Sequence, residues 1–288
     1  MNGVINLYKE KGITSFGAVA AVRKILHVKK VGHTGTLDPE AEGVLPICVG
    51  KATKLVDYIM GGEKTYRAGF KLGYTSDTLD AFGVLTKTEG EVPTEDLIRK
   101  TIAGFLGESM QMPPMYSALK KDGKRLYELA RQGIEIERER RPITITKLLL
   151  TKFDGLDGEI LVQCSKGTYI RSLIDDIGEK LQCGAIMTNL VREATGGFML
   201  ENSVKLSALE ENGYEPYLIS MDEVLKEYEK FIIPEEFLKL IVNGVKVKNR
   251  KITSTLGNGL YRAYSEEGSF LGILKRDEDY LFLAVNLM

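Results

Sequence analysis

Apolar residues recur along this chain with two periods, near two and near 3.6, and the switches between them outline its elements. Val4–Tyr8 alternates like a strand, and Lys9–Gly12 turns it. Thr14 or Ser15 is placed to cap a helix through Leu26, with Phe16, Val19 and Arg23 on one side. A glycine-rich loop then leads into apolar Val44–Val49, and a short helix is expected over Thr53–Met60. Lys64–Gly73 reads as a strand whose Tyr66, Ala68, Phe70 and Leu72 share one face. Ser76–Gly83 is turn-rich and carries Asp77 and Asp80, and Thr94–Phe105 opens with the Thr-Glu-Asp of a helix start. Ile143–Phe153 and Glu159–Ser165 are expected to form a hairpin across Asp154–Gly158. Beyond a turn at Gly167, Ile170, Leu173, Ile174, Ile177 and Leu181 recur at the spacing of a buried helical face.

Two stretches break this rhythm. Gln111–Pro142 contains Met112-Pro113-Pro114-Met115, which cannot be regular helix, followed by a charge-dense run. It reads as a projecting insertion or arm. Composition shifts again near residues 214–233. Helical segments at Ser220–Tyr228 and Pro234–Ile241 precede short strands at Val245–Lys248, Leu260–Tyr264, Phe270–Lys275 and Tyr280–Val285. That tail is too small to hold the main core and is expected to be a compact β-barrel-like module.

Composition narrows the class. The 288 residues suit one large domain or a large and a small one, and 43% hydrophobic residues suffice for a core. No apolar run reaches membrane-spanning length, and the start lacks a secretory pattern. Cys48, Cys164 and Cys183 are odd in number and far apart, which fits buried thiols in a reducing cytoplasm. There are two histidines, no Cys-x-x-Cys, no Walker motif and no strand-linked dinucleotide fingerprint. Chemistry therefore falls to carboxylate, tyrosine, arginine or lysine. The net charge of −1 hides an uneven distribution. Met1–Met60 and Tyr116–Pro142 each hold eight Lys/Arg against five Asp/Glu, whereas Glu201–Leu240 holds four against ten. Either surface charge varies by chance, or a basic face for a polyanion is masked in the total.

The densest candidate is Gly32–Gly50, GHTGTLDPEAEGVLPICVG, a constrained loop carrying one acid, Asp38, and one histidine, His33. Pro39 pushes Asp38 away from helical geometry; an Asp before Pro is also a common turn former. Tyr66, in Lys64-Thr65-Tyr66-Arg67, is either a core aromatic or a ring that stacks on a base with a hydroxyl available for proton transfer. Arg171 is polar at an otherwise apolar helix start. It is either a surface residue or a bidentate partner for a carboxylate, which would favour the charged acid. Lys120–Arg125 and Arg138–Arg141 could meet phosphates or simply face solvent.

Together these motifs resemble the TruB-type tRNA pseudouridine synthases. The resemblance rests on Gly32-His33-Thr34-Gly35-Thr36-Leu37-Asp38-Pro39 with Gly43-Val44-Leu45-Pro46, and on Lys64–Arg67, Gln111–Lys120, Gly167–Leu173 and Asn189–Arg192. Their order and spacing agree to about residue 200. The resemblance implies an α+β fold, with a mixed, mainly antiparallel central sheet, flanking helices and a small C-terminal PUA-type domain. Residues 1–231 would form the catalytic domain, with 111–142 as an RNA-binding thumb, and 232–288 the short PUA-like domain. It implies isomerisation of uridine 55 in the tRNA T-loop by base flipping, without cofactor or metal. Asp38 would be the essential acid, Arg171 its partner, and Tyr66 the ring stacking on the base and implicated in taking the C5 proton. Leu190 would close the other side of the pocket. His33 would enter the RNA loop, and Tyr169 and Lys9 would line the site. The expected partner is tRNA through its T-arm, the expected state a monomer without obligatory protein partner, and the expected location the cytoplasm. Departures are small: the chain has no Trp, and Ser76 stands where the family often has Thr. Two other readings stay open on the residues alone, an RNA-folding protein without catalysis and a carboxylate hydrolase that releases free uracil.

Overall fold

The computed structural model describes residues 1–121 and 123–288. Its main feature is a ten-stranded mixed sheet. From one edge the strands run Leu218–Ile219, Gly3–Lys9, Glu42–Val49, Ala185–Thr195, Lys64–Leu72, Asp157–Cys164, Arg141–Asp154 and Gly107–Gln111. Val31–His33 pairs with Glu42–Val49, and Phe198–Met199 with Ala185–Thr195. Every pairing in this sheet is antiparallel except one. Glu42–Val49 and Ala185–Thr195 run parallel and touch over Val191↔Glu42 and Arg192↔Gly43. The sheet is therefore two antiparallel halves joined at a narrow seam. Gly43 makes the seam possible. Its φ is +104°, and a Cβ there would lie 2.3 Å from the Arg192 carbonyl oxygen.

Alternation decides which face each residue meets. Ile5, Leu7, Leu45, Ile47, Tyr66, Ala68, Phe70 and Leu72 join one core with the inner faces of helices Ser15–Leu26, Glu95–Ala103 and Ile170–Lys180. On the opposite face, Val4, Val44 and Cys48 pack with Leu225, Ile273, Val285 and Leu287 of the C-terminal segment. Strands Gly3–Lys9 and Glu42–Val49 are thus covered on both sides, as their nearly unbroken apolar runs require. Cys48, Cys164 and Cys183 are buried and unpaired.

The Lys64–Leu72 strand and the hairpin Arg141–Asp154/Asp157–Cys164 lie where the pattern placed them. The helix Ser15–Leu26 is capped by Thr14, whose side chain accepts from Gly17 N–H, but its buried face is Ser15, Ala18, Val19, Val22 and Leu26. Phe16 is 73% exposed. Thr53–Met60 is divided between a 3-10 turn, Gly50–Leu55, and one α-turn, Val56–Ile59. The helix expected over Ser220–Tyr228 is the single turn Met221–Val224.

The tail corrects a sequence expectation. It is an open four-stranded sheet in the order Lys230–Ile232, Gly259–Tyr264, Phe270–Asp277, Tyr280–Asn286, not a closed barrel. Val245–Lys248 contributes one isolated bridge, Val247↔Leu281, and a helical turn follows at Arg250–Thr253. A parallel strand, Lys230–Ile232, instead joins the sheet. Among the described residues, no helix is long and apolar enough to cross a membrane.

Candidate active site

The candidate residues gather beside the seam. The Asp38 loop descends from Val31–His33 and returns into Glu42–Val49, and its backbone is held from three directions. Ser15 Oγ accepts from Leu37 N–H (2.8 Å) and donates to the Leu37 carbonyl (2.9 Å). Thr34 N–H reaches the Pro46 carbonyl (3.1 Å), and Gly12 N–H the Pro39 carbonyl (2.9 Å). Lys9 lies beneath, fully buried, with Nζ donating to the carbonyls of Ile13 (2.7 Å), Glu10 (3.1 Å) and Pro39 (3.1 Å). Burial pulls the Lys9 ammonium down to about 8, against the attraction of Asp38.

Asp38 itself remains 41% exposed, while its partner is not: Arg171 Nη2 lies 2.9 Å from Asp38 Oδ2, with a side chain only 5% exposed. The helix Ile170–Lys180 places Arg171 at its first turn, among apolar neighbours. Nη1 also donates to the carbonyl of Thr78 (3.0 Å) and Nη2 to that of Tyr116 (2.8 Å). Asp80 Oδ2 stands 3.9 Å away on the other side. Its Oδ1 accepts from Thr78 Oγ1 and Phe82 N–H, so one carboxylate shapes the turn and faces the guanidinium. A planar fork bonded along several directions has no freedom to swing.

Tyr66 and Leu190 bring the pocket its apolar surface. Tyr66 lies opposite Arg192, and Leu190 opposite Ala68, so these four side chains share one face. Burial pushes the Tyr66 phenol up, and the positive charge of Arg192 opposes that rise. Tyr169 caps the Arg171 helix through its backbone: Gln111 Oε1 accepts its N–H (2.8 Å), and Gln111 Nε2 donates to its carbonyl (3.0 Å). Its half-buried phenol is likewise raised by burial, with Asp38 among the charges it feels. His33 is half-buried, and Gly35 N–H donates to its Nδ1 (3.2 Å). Burial, then Arg192, lowers its pKa, which keeps the ring neutral at pH 7.

The structure thus brings Asp38, Arg171 and the buried Lys9 into one network, with Tyr66 and Leu190 on the adjoining sheet face. Tyr169 and His33 flank it. Lys9 is a surprise in kind, because its ammonium is spent on loop carbonyls. Sequence reasoning assigned Asp80, Gln111 and Arg192 no role at the site, although Gln111 and Arg192 lie in motifs that carry the resemblance. Asp80 looked like a turn former, which it also is. Gln111 looked like the root of an arm, and it ties that arm to the Arg171 helix, as does Ser172 Oγ donating to the Met112 carbonyl (3.0 Å). The arm is folded on itself: Leu126 and Leu129 are buried, and Lys121 and Arg138 reach the carbonyls of Glu137 and Pro113.

An acid displayed at a cleft by a buried arginine, beside an aromatic ring, belongs to a recognisable class. A sequence profile described as TruB family pseudouridylate synthase (N terminal domain) matches residues 23–170, and one described as tRNA pseudouridylate synthase B C-terminal domain matches 171–236. The class is that of the pseudouridine synthases, which isomerise uridine in RNA. A protein of Clostridium perfringens (strain SM101 / Type A) named tRNA pseudouridine synthase B is 52% identical over 282 residues, 96% of each chain. One of Alkaliphilus oremlandii with the same name is 41% identical over 285 residues, 97% of this chain and 95% of that one. The fold also matches a chain from an H/ACA RNP bound to a substrate RNA containing 2'-deoxyuridine (25% identity, TM-score 0.73). That match covers 99% of this chain and 85% of the other. The chain belongs to the TruB family of pseudouridylate synthases.

Proposed function

We propose that this chain converts uridine 55 in the T-loop of tRNA to pseudouridine, with Asp38 as the essential acid and no cofactor. The observation that carries the reading is the Arg171–Asp38 pair, in which a buried guanidinium holds a half-exposed carboxylate at 2.9 Å. The reaction breaks the N1–C1′ bond, turns the base and forms a C5–C1′ bond. One proton leaves C5 and one is gained at N1, so nothing is oxidised and no atom is added. Asp38 acts at the ribose or at the base. The Tyr66 hydroxyl is the proton carrier on that side of the pocket, and its ring stacks on the flipped base against Leu190. Flipping costs a few kcal/mol, and stacking returns about 1–3 kcal/mol.

His33, at the lip of the loop, is assigned to the space the uridine leaves. Lys9 acts through the loop carbonyls it holds, and Tyr169 lines the cleft. The arm at 111–142 is assigned to RNA backbone contact, as its Lys120, Lys121, Lys124 and Arg125 suit. Residues 232–288 are assigned as a PUA-like RNA-binding unit beside a catalytic domain of 1–231. A monomer acting in the cytoplasm completes the reading. The test is a T-arm stem-loop incubated with wild type and Asp38→Asn. Pseudouridine is expected from the first alone. Turnover by Asp38→Asn removes the assignment of the acid, and free uracil from wild type makes the enzyme a hydrolase.

A further inference from the structure

Arg192 heads the fully buried side chains by volume, 1% exposed, and among the described residues no carboxylate pairs with it. Its donors go to backbone, Nε to the Val44 carbonyl at 2.7 Å, Nη2 to that of Gly35 at 3.1 Å, and Nη1 to that of Thr36 at 3.5 Å, with the Tyr66 hydroxyl also within its reach. Val44 stands just across the seam, and Gly35 and Thr36 lead into Asp38. An interior cation without a counter-ion is expensive, and a hydrophobic residue would ordinarily serve a strand better. The groups around it are also mostly cationic or neutral. Lys9 from the first strand, His33 from the loop, and Lys64 from the Tyr66 strand all have pKa values lowered first by burial, and the charge of Arg192 pushes each further down. Lys64 Nζ, too, is occupied by carbonyls, those of Met60 and Gly62. The anions that act on the same Lys9 are Asp38, which Arg171 already holds, Glu40, which pairs with Lys11, and Glu42, which accepts from the Tyr8 hydroxyl.

We propose that Arg192 is a positioning residue of the isomerisation: it locks the Gly35–Thr36 backbone ahead of Asp38, and its unneutralised charge awaits the negative charge that arises in the pocket during turnover. The proposal rests on the isomerase reading above. When N1–C1′ breaks, its electron pair goes to the base, and the detached ring stays anionic until C5–C1′ forms. A fixed positive charge directly across from Tyr66 lowers the cost of that stage without touching the resting substrate. It also favours Tyr66 in whichever moment its oxygen carries less than a full proton.

The experiment compares R192Q and R192K by turnover of a T-arm stem-loop, by thermal melting, and by NMR titration of His33 in the free protein. His33 reports the buried charge without any catalysis. In R192Q its pKa is expected to rise, and kcat to fall by about 10²-fold or more, with KM for RNA unchanged. R192K is expected to keep the His33 titration near that of wild type and to recover much of kcat. An unmoved His33 in folded R192Q, or equal losses of kcat in both variants, overturns the proposal. Should R192Q fail to fold, R192K decides: a folded protein with kcat down by more than about 10²-fold overturns it, and near-native turnover supports it. Absence of pseudouridine formation by wild type would sink the isomerase reading instead, and the His33 titration would still decide whether Arg192 charges the pocket.

Discussion

Two buried arginines flank the same cleft and are satisfied in opposite ways. Arg171 comes from a helix start and faces two carboxylates, Asp38 at 2.9 Å and Asp80 at 3.9 Å. Arg192 comes from the seam strand and meets carbonyls of Val44, Gly35 and Thr36. Neutralising a guanidinium with an acid aims that acid; leaving one neutralised only by dipoles keeps a field available. The difference teaches that side-chain type does not assign a role here. What the guanidinium is bonded to does.

The comparison breaks most visibly at Asp38. Asp38→Asn keeps the shape of the side chain and removes the charge that Arg171 aims. Pseudouridine formation should vanish while circular dichroism and melting stay near wild type, because the carboxylate is 41% exposed. A loss of fold would mean that the acid is structural. Next in size is Tyr66→Phe, which retains the ring on the Arg192 side and deletes its hydroxyl. Single-turnover rates should fall by about 10²–10⁴-fold with RNA binding maintained. An unchanged rate would take proton transfer away from that side of the cleft.

Arg171→Met sharpens the contrast by emptying one side. Asp80 and the carbonyls of Thr78 and Tyr116 lose their donor, and urea titration should show about 1–3 kcal/mol lost as well as activity. Activity lost with full stability would limit Arg171 to aiming the acid. The smallest effect concerns Lys9. Its pKa of about 8 in the fold lies below the ordinary 10.5, so the unfolded chain binds the proton more tightly. Stability from this group therefore rises as pH goes from about 8 to 10.5, and is unaffected below 8, where both states are protonated. Lys9→Met should lack that rise when melts at pH 7, 9 and 10 are compared with wild type.

Much of this was legible in the sequence, and the residues say why. Asp38 before Pro39 between glycines, Tyr66 on an alternating strand, and Arg171 at an apolar helix start each carry a local signal. Arg192 lies in the Asn189–Arg192 motif, but nothing there gave it a role, since its carbonyl partners lie 148 to 157 residues away and backbone acceptors leave no mark on composition. Asp80 was hidden by doing two jobs, of which only the turn is local. Phe16 misled because the buried position beside it belongs to Ser15, a polar residue spent on Leu37. Closure of the tail was misread because alternation predicts strands, while pairing between distant strands decides whether an edge remains open.

The seam has a consequence for assembly as well as for shape. Each half-sheet is built largely from antiparallel neighbours, whereas the junction joins Gly43 to Arg192 across most of the catalytic chain. Contacts of that separation carry a large loop-closure entropy, as do the Val4↔Ile219 pairing at the sheet edge and the Ala68↔Leu190 pairing beside the seam. Asp38 approaches from one half, and Tyr66, Leu190 and Arg192 belong to the other. Asp38 and the Tyr66–Leu190–Arg192 face therefore stand together only where the two half-sheets have met.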